Sequence, residues 1–335
     1  MHCLPCHFTA NLAKGFRRLC LRKNSTSNRP AAPLGSRILT NPNDVFKHNM
    51  WDHVQWTEED KENARLKAEE NSSIRVPLNE QVKFDKDAGQ IWEKFYETHH
   101  NKFFKNRKWL FAEFPELLPP AQTRTSHHEH TDIQTPSFPG QHAAFRILEV
   151  GCGVGNSLFP ILSTIKKTDA FVYCCDFSSN AIELMKAHPD YDASMCHSFV
   201  HNICDEEVPF PFPPQSLDVI LAVFVLSSIH PERMEGVVNR LSAYLKHGGV
   251  FLFRDYGRYD FSQLRFKNGC CLAENFYTRG DGTCVYYFTK EEVQNLFVNA
   301  GLDEIQNLED KRLQVNRGKK VVMRRVWVQS KFKKR

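Results

Sequence analysis

A glycine-rich turn between an apolar strand and a helix is the segment whose residue types and spacing indicate chemistry most directly. Residues 147–150 form an apolar run with one acid, and residues 151–155 follow as Gly-x-Gly-x-Gly. Glycine lets the backbone approach a bound ligand closely and adopt angles that other residues avoid. The spacing differs from the Gly-x-Gly-x-x-Gly fingerprint, whose turn cradles a pyrophosphate at a helix start. S-adenosylmethionine has no phosphate and presents an amino acid end instead, so the turn predicts this cofactor.

A carboxylate and an amide follow the next two predicted strands. Asp176 lies 25 residues after Gly151 and ends its strand, where its carboxylate can accept hydrogen bonds from both ribose hydroxyls. The structural alternative is an acid that supports the start of a helix at Ser178. Asn202 and Ile203 follow the third strand, where the side-chain oxygen of Asn202 and the backbone amide of Ile203 are predicted to meet an adenine edge.

These residues need a sheet whose strand ends meet at one edge. Apolar strands are predicted at 145–150, 171–176, near Phe199, at 217–226 and at 250–254, with helices from about Asn156, from Ser178 and over 231–245. Continuous apolar strands separated by helices predict a parallel sheet covered on both faces. A helix over 289–300 and an antiparallel hairpin of 308–314 with 321–329 are predicted to complete it. Val223, in the fourth strand, is predicted to form an apolar wall of the cofactor pocket, although a valine there is more often core.

Composition divides the chain into four predicted regions. The first forty residues contain seven Lys or Arg and no Asp or Glu, so 1–34 is predicted to be a mitochondrial transit peptide, with a basic disordered arm that contacts RNA as the alternative. Residues 35–119 form an aromatic-rich extension, with one helix capped by Thr57 and another carrying Trp92 and Tyr96. Residues 120–143 read as a linker, whose histidines at 127–130 are more typical of a solvated tract than of a metal site. Residues 144–333 form the catalytic domain.

Charge and cysteine content narrow the class of protein. Hydrophobic residues make up 41% and charged residues 25%, and no run approaches the roughly 18 apolar residues of a membrane helix, so no membrane contact is expected. The net charge of +5, concentrated at the two ends, suggests an anionic partner. The 11 cysteines are odd in number and lie mostly in apolar contexts, which indicates free thiols in a reducing compartment. Cys3 and Cys6 have zinc-like spacing, but no second ligand pair follows, so no metal is expected.

Dense matches to one enzyme family extend over residues 35–333. They lie at 92–114, 148–156, 174–178, 224–227, 254–260, 263–267, 274–283 and 313–317. In these segments the chain resembles the eukaryotic tRNA N(3)-methylcytidine methyltransferases of the methyltransferase-like family. With its transit-like start it is most similar to the mitochondrial member of that group, which implies the mitochondrial matrix, with the cytoplasm as the alternative.

The resemblance implies a fold, a reaction and a set of cofactor contacts. The fold is α/β, a Rossmann-like class I methyltransferase with a seven-stranded, mostly parallel sheet, an antiparallel terminal hairpin and an N-terminal extension that binds tRNA and caps the cofactor. The reaction is methyl transfer from S-adenosylmethionine to N3 of the cytidine at position 32 in the anticodon loop of tRNA. The resemblance is also compatible with an accessory partner protein, such as an aminoacyl-tRNA synthetase. The family usually has Asp where Asn202 stands and Arg where Cys284 stands. The cofactor contacts carry over to Trp92, Tyr96, Gly151, Asp176, Asn202, Ile203 and Val223.

Such a reaction asks mainly for positioning of the two reactants. Cytidine N3 carries a free lone pair, so its attack on a sulfonium methyl needs no general base. Positive charge moves onto the base, so a nearby carboxylate would stabilise the product side, and Asp255 with Tyr256 are the candidate catalytic residues, ahead of Asp260 and Asp281. The target base must be unpaired and is expected to stack on aromatic side chains. A non-catalytic protein that binds tRNA or a partner on the same fold is the alternative. The candidate substrate-binding residues are Arg254, Arg258, Phe276, Tyr277 and Arg279.

Overall fold

A computed structural model describes residues 36–120 and 137–335. The predicted transit peptide, 1–34, and the histidine tract at 127–130 lie outside the described residues. Within the described part, one large sheet and one small sheet are combined with eight α-helices. The helices are α1 Glu58–Ser72, α2 Leu78–Lys86, α3 Ala88–His99, α4 Leu110–Glu113, α5 Leu158–Ile165, α6 Ser179–Lys186, α7 Pro231–Tyr244 and α8 Lys290–Asn299.

The large sheet has the predicted mixed topology. Its strands are β1 Met50–Trp51, β2 Phe145–Val150, β3 Ala170–Asp176, β4 Cys196–Val200, β5 Leu217–Val223, β6 Leu245–Tyr256, β10 Leu302–Asn316 and β11 Val321–Lys334. Their order is β1-β10-β11-β6-β5-β2-β3-β4, parallel from β6 to β4 and antiparallel from β6 to β1. The seven predicted strands are present, and the two-residue strand β1 from the N-terminal extension adds an eighth at the edge.

Helices cover both faces of this sheet because the central strands are apolar on both sides. Leu148 and Tyr173 face the layer formed by α7 and α8, and Ile147 and Val172 face the layer formed by α4, α5 and α6. All four side chains are fully buried. This arrangement is the one that continuous apolar strands predict for a parallel sheet.

Three parts of the large sheet have boundaries that differ from the sequence prediction. β6 runs over Leu245–Tyr256, against a predicted strand at 250–254. The fourth predicted strand ends at Val223 instead of residue 226, because Phe224 has a positive φ of 60° and a short 3-10 helix, Leu226–Ser228, follows. The terminal hairpin is longer at both ends than predicted, since β10 and β11 pair from Leu302↔Lys334 to Asn316↔Val321.

The N-terminal extension is tied to the catalytic domain at two points in its first half. Trp51 of β1 is buried against the hairpin, and α1 is capped by Thr57 in the predicted manner, with a reciprocal capping box to Asp60. Further along, the segment after α1 pairs with the small sheet through Val76 N–H and the Cys271 carbonyl at 2.8 Å. The small sheet is formed by β7 Cys271–Ala273, β8 Phe276–Thr278 and β9 Cys284–Tyr286.

In the two described ranges, no helix is both long and apolar enough to cross a membrane. The same residues contain no group of three or more His, Cys, Asp or Glu side chains that could hold a metal ion. The eight described cysteines are all free thiols.

Candidate cofactor and substrate site

The glycine-rich turn adopts a backbone that requires glycine. Gly151 and Gly153 have φ values of 57° and 53°. A methyl group on Gly151 would lie 2.5 Å from the Val225 side chain, and one on Gly153 would lie 2.6 Å from the Tyr96 hydroxyl. Both the left-handed angles and the close approach therefore exclude larger residues, and the bare backbone faces the cavity beyond β2.

Asp176 fastens this turn to the start of α6. One carboxylate oxygen accepts a hydrogen bond from Gly153 N–H at 2.9 Å, and the other accepts one from Ser178 N–H at 3.0 Å. Burial raises the pKa of Asp176 to about 6. Asp176 therefore does support the start of the helix at Ser178, as the structural alternative predicts. Each carboxylate oxygen still has a second acceptor site, and the residue lies in the cavity wall.

One cavity of about 850 Å³ lies outside the carboxyl ends of the strands. Its volume is toward the upper end of the ~300–1,000 Å³ typical of small-molecule pockets, and its place in the sheet is the usual ligand position of open α/β folds. The N-terminal extension forms its outer wall through α2 and α3. Six of the seven predicted cofactor contacts line it: Trp92, Tyr96, Gly151, Asp176, Asn202 and Ile203.

Val223 is the exception among the predicted cofactor contacts. Its side chain is 2% exposed and packs in the core on the α5 face of the sheet. The positive φ of Phe224 turns the chain at the end of β5, so Phe224 and Val225 line the cavity instead.

Trp92 and Tyr96 cover the glycine turn from one face of α3, as their four-residue spacing predicts. Phe95 and Tyr96 pack with Val154 of the turn and Ala181 of α6. From the same helix Glu93 accepts hydrogen bonds from the first N–H groups of α6, with 2.6 Å to Ser179 N. The extension is thus anchored on the glycine turn and on the start of α6, next to the predicted cofactor contacts.

The loop after β4 is held from behind by α7. Arg240 donates to the carbonyls of Asp205 and Val208, while Asn202 Oδ1 accepts from Cys204 N–H at 3.0 Å. Burial, and then the charge of Arg240, lower the pKa of His201 to about 4, so this ring is neutral near pH 7. The loop is therefore rigid where it presents Asn202 and Ile203 to the cavity.

A buried acid and a cation lie beside the glycine turn; sequence reasoning counted Glu149 as part of the glycine motif without a contact of its own and missed Arg107. Glu149 is 1% exposed, neither of its carboxylate oxygens has a hydrogen-bond partner among the described residues, and burial raises its pKa to about 7. Arg107 lines the cavity, with Nη1 3.5 Å from Glu149 Oε1 and 2.6 Å from Ser157 Oγ. An unsatisfied buried carboxylate next to a guanidinium fits an amino acid end that carries one ammonium and one carboxylate.

The two candidate catalytic residues do not line the cavity. Asp255 is fully buried, and its oxygens accept from Ser227 N–H at 3.0 Å and from its own neighbour, Tyr256 N–H, at 2.8 Å. Burial raises the pKa of Asp255 to about 6. The prediction that Asp255 contacts the reacting base is not supported, because the carboxylate ties β6 to the segment after β5 instead. Tyr256 lies behind the wall, with its ring 5.0 Å from that of Phe224.

The five candidate substrate-binding residues are divided by the fold. Phe276 lines the cavity, and Arg279 lies behind it, donating to the Cys284 carbonyl at 3.1 Å. Tyr277 is 1% exposed, and its hydroxyl bonds to Ser72 at 2.9 Å. Stacking of Tyr277 on a bound base is therefore a wrong prediction, because the ring belongs to the core beneath the small sheet.

Arg254 and Arg258 are paired within the protein. Arg254 is 5% exposed, lies between two indole rings, and bonds to Asp310 at 2.5 Å. Arg258 bonds to Glu292 at 2.7 Å. The prediction that Arg254 binds substrate is not supported, since its charge is neutralised inside the protein.

The sheet order, the glycine turn, the acid after β3 and the cavity at the strand ends together define a class I methyltransferase that uses S-adenosylmethionine. Residues 148–251 match the family described as "Methyltransferase domain". The chain is 52% identical to the tRNA N(3)-cytidine methyltransferase METTL2 of Danio rerio, covering 93% of this chain and 92% of that protein. It belongs to the tRNA N(3)-cytidine methyltransferase family.

Two human relatives bear on the expected closeness to a mitochondrial enzyme. The tRNA N(3)-cytidine methyltransferase METTL2B of Homo sapiens is 48% identical, covering 89% of this chain and 92% of that protein. The protein named "tRNA N(3)-cytidine methyltransferase METTL8, mitochondrial", also of Homo sapiens, is 45% identical, covering 64% of this chain and 95% of that protein. The relative with a mitochondrial name matches at lower identity and over less of this chain than the METTL2 proteins, so a greater similarity to the mitochondrial member is not supported. The compartment does not follow from these relatives.

Proposed function

We propose that this protein transfers a methyl group from S-adenosylmethionine to N3 of the cytidine at position 32 in the anticodon loop of tRNA. The observation that carries the proposal is one continuous cavity, which runs from Gly151 and Asp176 to Phe276. Its volume of about 850 Å³ gives room for a cofactor and one unstacked base in the same chamber.

The residues at the ends of β2, β3 and β4 bind and orient the cofactor. Asp176 accepts hydrogen bonds from the ribose hydroxyls, and Asn202 with Ile203 meets the adenine edge. Arg107, in the cavity wall, faces the carboxylate of the methionyl end, and the buried Glu149 behind it favours the ammonium through its charge. When bound, S-adenosylmethionine supplies an electrophilic methyl group on a sulfonium.

The chain then needs to hold one base and exclude water. Cytidine N3 attacks with its own lone pair, so no protein group has to remove a proton. Trp92 and Tyr96 of α3 close the cofactor side of the cavity against solvent. Positioning of an unpaired loop nucleotide opposite the methyl group supplies the remaining rate enhancement.

The test is a methylation assay with the full chain. Purified protein is incubated with methyl-labelled S-adenosylmethionine and tRNA, and the digested nucleosides are separated by mass. We expect label in 3-methylcytidine from tRNA with cytidine at position 32 and none when that position is uridine. Asp176→Ala should remove the activity, whereas Asp190→Ala, an exposed acid away from the cavity, should retain it.

Three outcomes contradict the proposal in different ways. Label in another nucleoside would refute the target atom, and label that persists in the uridine-32 tRNA would refute the position. Binding of tRNA without any transfer would favour the non-catalytic alternative. If transfer appears only with an added aminoacyl-tRNA synthetase, the accessory partner becomes part of the function.

We also propose a mitochondrial location, on the acid-free basic composition of residues 1–34. A fusion of these residues to a fluorescent protein should enter mitochondria, and a fusion with its Lys and Arg residues changed to Gln should not. Cytosolic fluorescence from the unaltered fusion would refute targeting and favour the basic arm.

A further inference from the structure

Phe224 adopts a backbone conformation that its residue type disfavours. Its φ is +60° at the end of β5. A bulky L-residue in the left-handed region costs about 1–2 kcal/mol, and such conformations concentrate where a site imposes them. Glycine would adopt the same turn without this cost.

The turn at Phe224 shapes the floor of the cavity. Phe224 N–H donates to the Arg254 carbonyl at 2.9 Å, which fixes the backbone at the point where β5 ends. The next residue, Val225, packs directly over Gly151. As a result the chain closes on the glycine turn with Val225 and directs the Phe224 ring into the cavity wall.

The Phe224 ring is one of two adjacent rings that have a guanidinium at each end of the row. The Arg107 guanidinium lies 5.8 Å from its centroid. The Tyr256 ring lies 5.0 Å away at 46°, and the Arg279 guanidinium lies 5.7 Å from the Tyr256 centroid. These neighbours hold the ring in place, while its half-buried position leaves part of its surface facing the cavity.

The sheet topology assigns this ring to the substrate side. The three cofactor-binding segments follow β2, β3 and β4, and the sheet order continues from β2 to β5 and β6 in the opposite direction. Phe224 stands at the end of β5, next to the end of β2. Phe224 therefore lies at the boundary between two parts of the cavity. One part, at the ends of β2, β3 and β4, is taken by the cofactor, and the other, beyond β5 and β6, is left for the target base.

We propose that Phe224 is the residue on which the target base stacks, and that it holds cytidine N3 toward the methyl group. This inference rests on the proposed function. In the transfer, the N3 lone pair forms the new N–C bond and the S–C electron pair stays on sulfur, leaving a neutral thioether and a positively charged base. An aromatic face attracts a base by stacking and attracts it more strongly as this positive charge develops.

The test compares three substitutions at Phe224. Phe224→Leu removes the aromatic face and should lower kcat/KM for tRNA about 5- to 150-fold, the equivalent of the ~1–3 kcal/mol of one base–aromatic stack. Phe224→Tyr keeps the face and should stay within about threefold of the unaltered protein. Phe224→Gly relieves the strained backbone, so its Tm should be no lower than that of Phe224→Leu although its activity is as low or lower.

A matched control is available outside the cavity. Phe138 is a partly buried ring with the Arg146 guanidinium 5.8 Å from its centroid, the same separation as for Phe224 and Arg107. Phe138→Leu should leave kcat/KM for tRNA unchanged. The Kd for S-adenosylhomocysteine should remain within about twofold in all four variants, because no cofactor contact is altered.

Two results would overturn the inference while the proposed function stands. One is an active protein in which Phe224→Leu changes kcat/KM by less than about twofold, far below the loss expected for one stacked base. The other is a loss of cofactor affinity that parallels the loss of activity, which would make the ring part of the cofactor wall. An unaltered protein that transfers no methyl group to tRNA would refute the proposed function itself, and the base-stacking role with it.

Discussion

Replacement of Gly153 by Ala tests how the glycine turn holds the cofactor. The new methyl group would lie 2.6 Å from the Tyr96 hydroxyl, and Tyr96 is 5% exposed and packed between α3 and α6. The left-handed φ of 53° adds about 1–2 kcal/mol of backbone cost. Any shift of the turn also weakens the 2.9 Å hydrogen bond from Gly153 N–H to Asp176, of a kind worth about 1.5–3 kcal/mol.

We expect two separate effects from Gly153→Ala. The free energy of unfolding should fall by at least about 1–2 kcal/mol from the backbone alone. The Kd for S-adenosylhomocysteine should rise at least about tenfold, since about 1.4 kcal/mol corresponds to a factor of ten. Chemical denaturation measures the first effect and isothermal titration calorimetry the second.

A control variant and a second background separate the two costs of Gly153→Ala, the strained backbone angle and the steric clash with Tyr96. Gly269 has a φ of 83° and nothing within 4 Å of an added methyl group, so Gly269→Ala should lose stability and retain cofactor affinity. In a Tyr96→Phe background the clashing oxygen is absent and the next atom, Tyr96 Cζ, lies at an ordinary 3.5 Å. There, Gly153→Ala should cost much less affinity. Equal affinity losses with the native tyrosine and in the Tyr96→Phe background would refute the steric reasoning.

Three further predictions concern the walls of the same site. Because burial raises the pKa of Asp176 to about 6, the Kd for S-adenosylhomocysteine should rise about tenfold from pH 7 to pH 5 as the ribose acceptor is protonated. Ionisation of Asp176 destabilises the fold as the pH rises, so unfolding at low pH does not explain this loss of affinity. Asp176→Asn should make the Kd independent of pH over this range. Arg233 bonds to Asp85 of α2 at 2.6 Å, and no residue of α2 is buried. Arg233→Ala should therefore speed cofactor dissociation about 1.5- to 5-fold, as expected from the loss of an exposed ion pair. Stopped flow measures this rate, and the double variant in which the two charges are exchanged should recover it. Arg254→Ala should lower the free energy of unfolding by about 3 kcal/mol, because it leaves the largely buried Asp310 without this partner. The salt dependence of tRNA binding should not change; a weaker dependence of the binding constant on salt concentration would show that Arg254 contacts a phosphate.

The sequence predicted those parts of the fold whose signals are local. Thr57 caps α1 as its acidic neighbours predict, and the helix predicted from Thr289 begins there; both threonines form a capping box with the acid at the third helical position. The positions of Gly151 and Asp176 in the cavity wall follow from the strand pattern, because parallel strand ends share one edge of a sheet.

The site residues that were misplaced depend on contacts distant in the chain. Arg254 and Arg107 are both arginines close to aromatic residues in the sequence, and only the fold shows that the first is neutralised by Asp310 while the second faces the cavity. Val223 lies in the core and Phe224 lies in the cavity wall because a single backbone angle, φ of Phe224, ends the strand earlier than apolar character suggests. Such angles and long-range ion pairs leave no periodic pattern in a sequence.

The outer edge of β10 is a place where a strand from a second copy of the chain could pair with the sheet. The strand is 15 residues long, and β1 pairs with only two of them. Its remaining length includes Asp303, Glu304 and Glu309, with a bulge between Glu304 and Gln306. Strand addition by another molecule would place its backbone against these charged side chains and would have to accommodate the bulge. The hairpin can therefore remain long and open without becoming a template for aggregation.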